Sequence, residues 1–355
     1  MDRSSTWVKP RFSITTDRDV RMIYNDNNGA QGLVARWTLT FLHALTYVML
    51  FGLASVDAQL LSSDSPAGYI DNAIVRNRFR LRFDAAYDNP FPDRAEFFYA
   101  KCGCFSGGNG PGPAFPDSGV DFQELEFAAE HLVYGDMVSA FVELPIRFIN
   151  PDFNENAAGL GDIRAGFKAA LLSDDNSILT FQLRGYFPTG DGIKGLGTEH
   201  VSLEPGFLFA SQANRLSTFG EFRAWIPIGG EKETFNGTVR NFSGTVLRYG
   251  LGAGYDIYQE YCCSEQAVTN RLTAVTEVVG WTVLDGLKFR DPTPTNPVSL
   301  GDAVFDSAVN DTIVNLKLGL RWSTPRDSIY VGYGRALTGD IWYRDIVRAE
   351  YVLRY

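Results

Sequence analysis

The stretch NRFRLRFDAAY, Asn77 to Tyr87, alternates without a break. Phe79, Leu81, Phe83, Ala85 and Tyr87 fall on one side of an extended chain, and Arg78, Arg80, Arg82 and Asp84 on the other. One side is suited to oil and the other to water and counter-charge. A soluble sheet with this pattern turns its apolar side to a shared core, whereas a membrane barrel turns it to lipid and faces polar groups inward. Which of the two applies depends on how often the pattern recurs and on what connects the repeats.

Twelve segments carry it, near residues 77–88, 121–133, 136–148, 161–172, 176–187, 200–211, 215–227, 244–257, 268–282, 311–322, 327–336 and 344–355. Most are long for strands of a sandwich and close to the length needed to cross a bilayer at a tilt. The connections alternate. Tight turns such as YG and SDDN follow long stretches such as 89–120, 188–199 and 283–310. Short turns at one end and long loops at the other mark a barrel of the bacterial outer membrane, and an even strand count suits it. A soluble sandwich of such strands would leave polar rows bare and edges unpaired. The expected fold is therefore all-β: a transmembrane up-and-down antiparallel barrel of about twelve strands, residues 77–355.

The chain ends RAEYVLRY, Arg348 to Tyr355, on an aromatic residue rather than a polar tail. Val347, Ala349, Tyr351, Leu353 and Tyr355 share one face, so this reads as the closing strand. It resembles the C-terminal signal read by barrel-assembly machinery, which implies that machinery as a partner through Tyr351, Leu353 and Tyr355.

Ahead of the barrel, Arg36 precedes the apolar run Trp37 to Ala54, and small residues follow at Val56 and Ala58. That is the pattern of a secretory signal peptide cleaved after Ala58, so residues 1–58 are expected to be an extended signal segment, with Met22 an alternative start. Residues 59–76, QLLSSDSPAGYIDNAIVR, are then a short periplasmic segment, brief for a plug. Without residues 1–58 the chain holds 26 Lys/Arg against 37 Asp/Glu, a net charge of −11 that argues against nucleic acid as a partner. Cys102, Cys104, Cys262 and Cys263 lack metal-ligand spacing with a nearby His, and in an exported chain a disulfide is the expected use. No cofactor or metal is called for.

The inward rows hold the candidate functional residues. Arg78, Arg80 and Arg82 on the first strand face Glu124, Glu126 and Glu130 on the second, and Arg348, Glu350 and Arg354 join them from the last. Arg184, Glu221 and Arg223 continue the lumen lining, with Arg164, Lys168, Glu204, Arg248, Glu277, Lys317 and Arg321. Such rows either shape the field of a water-filled pore or form a cross-strand lattice that satisfies charges inside a narrow barrel. Gly250, Gly252, Gly254, Gly319, Gly332 and Gly334 also face inward, leaving room for a solute or for long arginines.

Two motifs carry less. GDGIKG, Gly190 to Gly195, has the glycine spacing of a dinucleotide site but neither the preceding strand nor the following helix, and reads as a loop. His200 and Ser202 share a strand face, as the base and nucleophile of an outer-membrane lipid hydrolase would, but no orienting Asn is identifiable.

The stretch GLGDIRAGFKAAL, Gly159 to Leu171, with FPTGDG, Phe187 to Gly192, and GTEHVSLEPGFLFA, Gly197 to Ala210, resembles outer-membrane barrels of the meta-pathway phenol-degradation transporter-like family. The resemblance covers some fifty residues and implies passage of small hydrophobic or aromatic molecules across the outer membrane; the leading expectation is a monomeric, non-enzymatic barrel acting as a passive channel for small solutes. The other functional expectations are a structural or surface-interaction barrel with a closed lumen, and the lipid hydrolase.

Overall fold

The computed structural model describes residues 65–90, 92, 100, 102, 110–115, 117–261, 268–289, 305–339 and 341–355. The segment read as a signal peptide lies outside them. So do Cys104, Cys262 and Cys263; Cys102 is buried and disulfide-bonded.

Twelve long strands close into one antiparallel barrel: β1 (Arg78–Asn89), β2 (Val120–Tyr134), β3 (Val138–Pro151), β5 (Ile163–Ser173), β6 (Ser177–Phe187), β7 (Val201–Ala213), β8 (Leu216–Ile228), β11 (Val246–Tyr261), β12 (Val268–Val283), β15 (Thr312–Ser323), β16 (Asp327–Ala336) and β17 (Asp345–Arg354). Closure is direct. β1 pairs with both β2 and β17, with Arg82 opposite Glu126 on one side and Glu350 on the other. Four residues of β4 (Ala157–Leu160) extend the wall beside β3 beyond the start of β5. Two hairpins lie between barrel strands, β9 (Lys232–Phe235) with β10 (Thr238–Asn241) and β13 (Leu287–Phe289) with β14 (Phe305–Ser307). No α-helix occurs among the described residues.

Tight turns at 135–137, 174–176, 214–215 and 324–326 gather at one end, where Arg78 and Arg354 also lie. Gly135 and Asn214 take φ of 49° and 54° there, the left-handed geometry that glycine and asparagine tolerate best. In this class of barrel the turn end is periplasmic.

The alternation is turned inside out relative to a soluble protein. Phe79, Leu81 and Phe83 are 50%, 38% and 40% exposed, while Arg78 and Arg82 are below 10%. Leu318, Leu320, Val331 and Phe222 continue the exposed apolar belt. At the turn end Tyr355 stacks on Phe79 with centroids 4.8 Å apart, and Tyr258 on Trp322 at 6.1 Å, as in an interfacial girdle. Leu318→Arg, near the middle of β15, is expected to cost about 2–4 kcal/mol, and Ile329→Arg beside the 324–326 turn only about 0–1. Urea titration of the barrel in lipid vesicles measures both, and equal costs would contradict a lipid-facing belt.

In the resembling stretch the chain breaks step at Gly161–Asp162, between β4 and β5, and does not turn back there. Gly161 N–H donates to the Pro145 carbonyl at 2.8 Å, and a Cβ at Gly161 would meet the Arg147 side chain at 3.1 Å. Asp162 caps a neighbouring loop instead, accepting from Gly190 N–H (3.1 Å), Thr198 N–H (2.8 Å) and the Thr198 hydroxyl (2.8 Å). GDGIKG is a loop with a short 3-10 turn at Gly192–Lys194.

Candidate functional site: a plugged, charge-lined lumen

Residues 65–75, expected within a short periplasmic segment, instead run inside the barrel. Ala67, Tyr69, Ile70, Ala73, Ile74 and Val75 are all buried. The reason is hydrogen bonding. A segment lying in a closed barrel must find partners for its backbone from the wall, and charged side chains supply them. Glu277 accepts from three successive amides, Gly68 (3.0 Å), Tyr69 (2.9 Å) and Ile70 (3.1 Å), and Glu221 from Asp71 (3.1 Å). Guanidiniums meet the carbonyls: Arg321 donates to Ala67 (2.6 Å), Arg348 to Gly68 (2.8 Å) and Arg248 to Tyr69 (2.9 Å). On the far wall Lys168 donates to the Asn72 carbonyl (2.9 Å) and Thr180 to that of Ala73 (2.6 Å). The segment thus crosses the lumen from β12 and β15 to β5 and β6.

This segment also accounts for the inward glycines. A Cβ on Gly250 would meet Ile70 at 3.0 Å, and one on Gly254 would meet Pro66 at 2.6 Å. A Cβ added at Gly319 or Gly332 would meet the Tyr330 hydroxyl at 2.3 Å, and one added at Gly68 would meet the Tyr330 ring at 2.1 Å. The plug fills the space at Gly250 and Gly254 and Tyr330 fills it at Gly319 and Gly332, while Gly252 faces Phe219 and Glu277, and Gly334 faces Ile346 and Lys317.

Arg78, Arg82, Glu124, Glu126, Arg184, Glu221, Arg223, Arg348 and Glu350 are buried and joined by ion pairs, with Arg80 half-buried among them, whereas Arg354 donates to the carbonyls of Thr324, Pro325 and Asp327 at the turn end. Glu126 is fully buried and bonds Arg82 (2.6 Å), Arg80 (2.7 Å) and Arg164 (2.9 Å). Arg78 pairs with Glu130, Arg164 and Arg147 with Glu124, and Arg348 with Asp84. Across the lumen Arg184 bonds Glu204 (2.9 Å) and Arg223 bonds Glu204 (2.6 Å) and Glu221 (2.9 Å), while Glu350 holds Arg321 at 2.7 Å.

Asp71, which the sequence reading did not single out, ties the plug into this lattice. Its Oδ2 accepts from Arg184 (2.6 Å), Arg223 (3.0 Å) and Gln182 (3.2 Å). Burial alone would raise its pKa, but Arg184 and Arg223 hold it well below the ordinary carboxylate range. A depressed carboxylate stabilises above its unfolded pKa and loses that contribution as pH falls through its own lower value. The plug is therefore anchored across the neutral range.

Above the plug, toward the loop end, lies a cavity of about 80 Å³. Tyr69 and Asp71 form its floor, and Phe122, Tyr186, Trp281, Trp342, Tyr343 and Ile346 its apolar wall. Lys317 is buried there. Its Nζ donates to the Tyr343 hydroxyl (2.7 Å) and stands 3.8 Å from the Tyr69 ring centre. Two voids of about 20 Å³ flank the plug, both bordered by Arg78, Arg80 and Asp71.

His200 and Ser202 do come together, with His200 Nδ1 3.1 Å from the Ser202 hydroxyl. Ser202 is fully buried and His200 packs 5.6 Å from Trp225, so the hydroxyl is sealed from lipid. Burial lowers the His200 pKa.

No family model matches the chain, and no curated protein matches it. Among solved structures it is similar to the COG4313 outer membrane channel from Pseudomonas putida F1, with a TM-score of 0.50 and 11% identity over 82% of this chain and 99% of that one. The fold is that of a bacterial outer-membrane barrel. Weaker likenesses are to the β-domain of a Bordetella autotransporter (TM-score 0.42, 12% identity, 79% of this chain and 100% of that one) and to the translocator domain of the autotransporter NalP from Neisseria meningitidis (0.40, 12%, 95% and 100%).

Proposed function

We propose that the protein is an outer-membrane channel for small solutes, held closed at rest by residues 65–75. The observation that carries this reading is a segment whose backbone is hydrogen-bonded by charged side chains of the wall, with a cavity directly above it. Its Tyr69, Ile70, Ile74 and Val75 side chains also pack inside the barrel, but contacts made to charged wall groups can be exchanged without unfolding the wall. The stretch Gly159 to Ala210 supports a small organic solute, by its resemblance to barrels associated with phenol degradation. Tyr351, Leu353 and Tyr355 serve as the assembly signal in the same proposal.

The extended ion-pair lattice favours a second reading, a closed barrel whose work is done by its loops. Planar-bilayer recordings separate the two. Replacing residues 65–75 with a Gly/Ser linker of equal length is expected to raise single-channel conductance well above that of the unaltered chain. If neither form conducts or admits solutes into liposomes, the channel reading is wrong and the closed barrel stands.

A further inference from the structure

The plug leaves its space unevenly filled. Its hydrogen bonds reach β5, β6, β8, β11, β12, β15, β16 and β17, and the residual voids lie against β1. Arg82 borders both the upper cavity and one flanking void, and Arg80 and Arg78 border both flanking voids. A row of three guanidiniums on one strand thus runs from the cavity, past the plug, to the turn end.

Charge along this route is one-sided. Seven basic side chains border the upper cavity against four carboxylates, and five against two border the void beside Arg321 and Glu350, with Glu126, Glu204 and Glu221 paired to the same guanidiniums from outside the cavity lining. This is the reverse of the whole chain, whose net charge is −10. Inside a low-dielectric wall such an excess raises the local concentration of anions and excludes cations. One residue borders all three spaces: Asp71, whose carboxylate already sits on Arg184 and Arg223.

We propose that Asp71 is a tethered stand-in for the carboxylate of the transported solute. The channel passes small organic anions, and an arriving carboxylate takes the place of Asp71 on Arg184 and Arg223, which releases the side-chain tie that holds the middle of the plug to β6 and β8. The exchange conserves charge: one carboxylate leaves the two guanidiniums as another arrives, so no buried cation is left bare. A neutral solute offers nothing to replace Asp71, and a cation is repelled. The Tyr69, Trp281 and Tyr343 rings around Lys317 give the apolar body of such an anion a surface to lie on. This inference rests on the channel reading and adds its solute class and trigger.

The test uses the purified full chain in planar bilayers, with benzoate, benzyl alcohol and benzylammonium as matched probes. Millimolar benzoate is expected to raise the open fraction at least about tenfold, and the other two to leave it unchanged. Asp71→Asn is expected to open without benzoate and to lose the response. The linker-replaced chain, in a salt gradient, should prefer anions by about fivefold. Equal opening by all three probes, or cation preference in the linker-replaced chain, overturns the inference while leaving a channel. Absence of conductance in every form overturns both. Should Asp71→Asn not fold, the benzoate titration of the unaltered chain still decides.

Discussion

Glu126→Ala is expected to cost the barrel about 3–5 kcal/mol. The Glu126 carboxylate serves three guanidiniums at once, Arg80, Arg82 and Arg164, and has no exposed surface. Removing it leaves Arg82 with two longer contacts, Glu124 at 3.9 Å from Nη2 and Asp84 at 3.4 Å from Nε. Arg80 keeps Glu143 at 2.8 Å and Arg164 keeps Glu124 at 2.9 Å, so the loss concentrates on Arg82. Glu126→Gln keeps the shape and an acceptor and should cost less, about 1–3 kcal/mol. Urea unfolding in vesicles reads the differences. A cost below about 1 kcal/mol for Glu126→Ala would mean that water screens the row as it screens a surface pair. Glu126→Leu combined with Arg82→Leu should recover part of the loss, because the stranded charge is removed with its partner.

That experiment addresses the choice the sequence left open between pore lining and lattice. The rows themselves were readable because period two is rigid: once Phe79 faces lipid, Arg78 and Arg80 have no face but the inside. The pairing of β1 with β2 and β17 followed from closure, and strand ends fell within a few residues of those expected. Partner choice was not readable, since Arg80 reaches past its register neighbours to Glu143 two strands away. Long side chains crossing a curved lumen obey distance in space, not register.

The hairpin of β9 and β10 carried a local signal that went unread. Asn236–Gly237, with φ of 50° and 76°, is the two-residue turn that suits a tight hairpin. The plug left a different kind of trace. Residues 65–75 have no periodicity because their conformation is set by the wall rather than by their own pattern. The wall, however, shows bare inward positions on adjacent strands, Gly250 to Gly254 on β11 and Gly319 and Gly332 on β15 and β16. Side-chain-free faces at neighbouring heights call for a backbone or a ring to fill them. Glu277 is the second trace. It stands between Gly252 and Lys317 in register, and Lys317 turns to Tyr343. A buried acid in such a place needs donors from elsewhere, and the plug amides supply them.

Glu277→Ala is accordingly expected to release the plug and open the channel while leaving the barrel folded. Hydrogen bonds to a charged acceptor contribute about 1.5–3 kcal/mol each, and Glu277 receives amides from three consecutive residues. Even with water replacing part of that loss, about 3 kcal/mol would shift the closed-to-open balance by roughly a hundredfold. The wall should suffer less than in Glu126→Ala, because Glu277 serves a removable segment rather than several strand arginines. Two readings of higher conductance are separated by combining changes. If Glu277 acts through the plug, Glu277→Ala adds nothing to the linker-replaced chain; if it shapes the pore directly, the effects add. Conductance of all four forms under one salt gradient decides this. Additive effects, or an unchanged open fraction in Glu277→Ala, would show that the amides of Gly68 to Ile70 do not latch the plug.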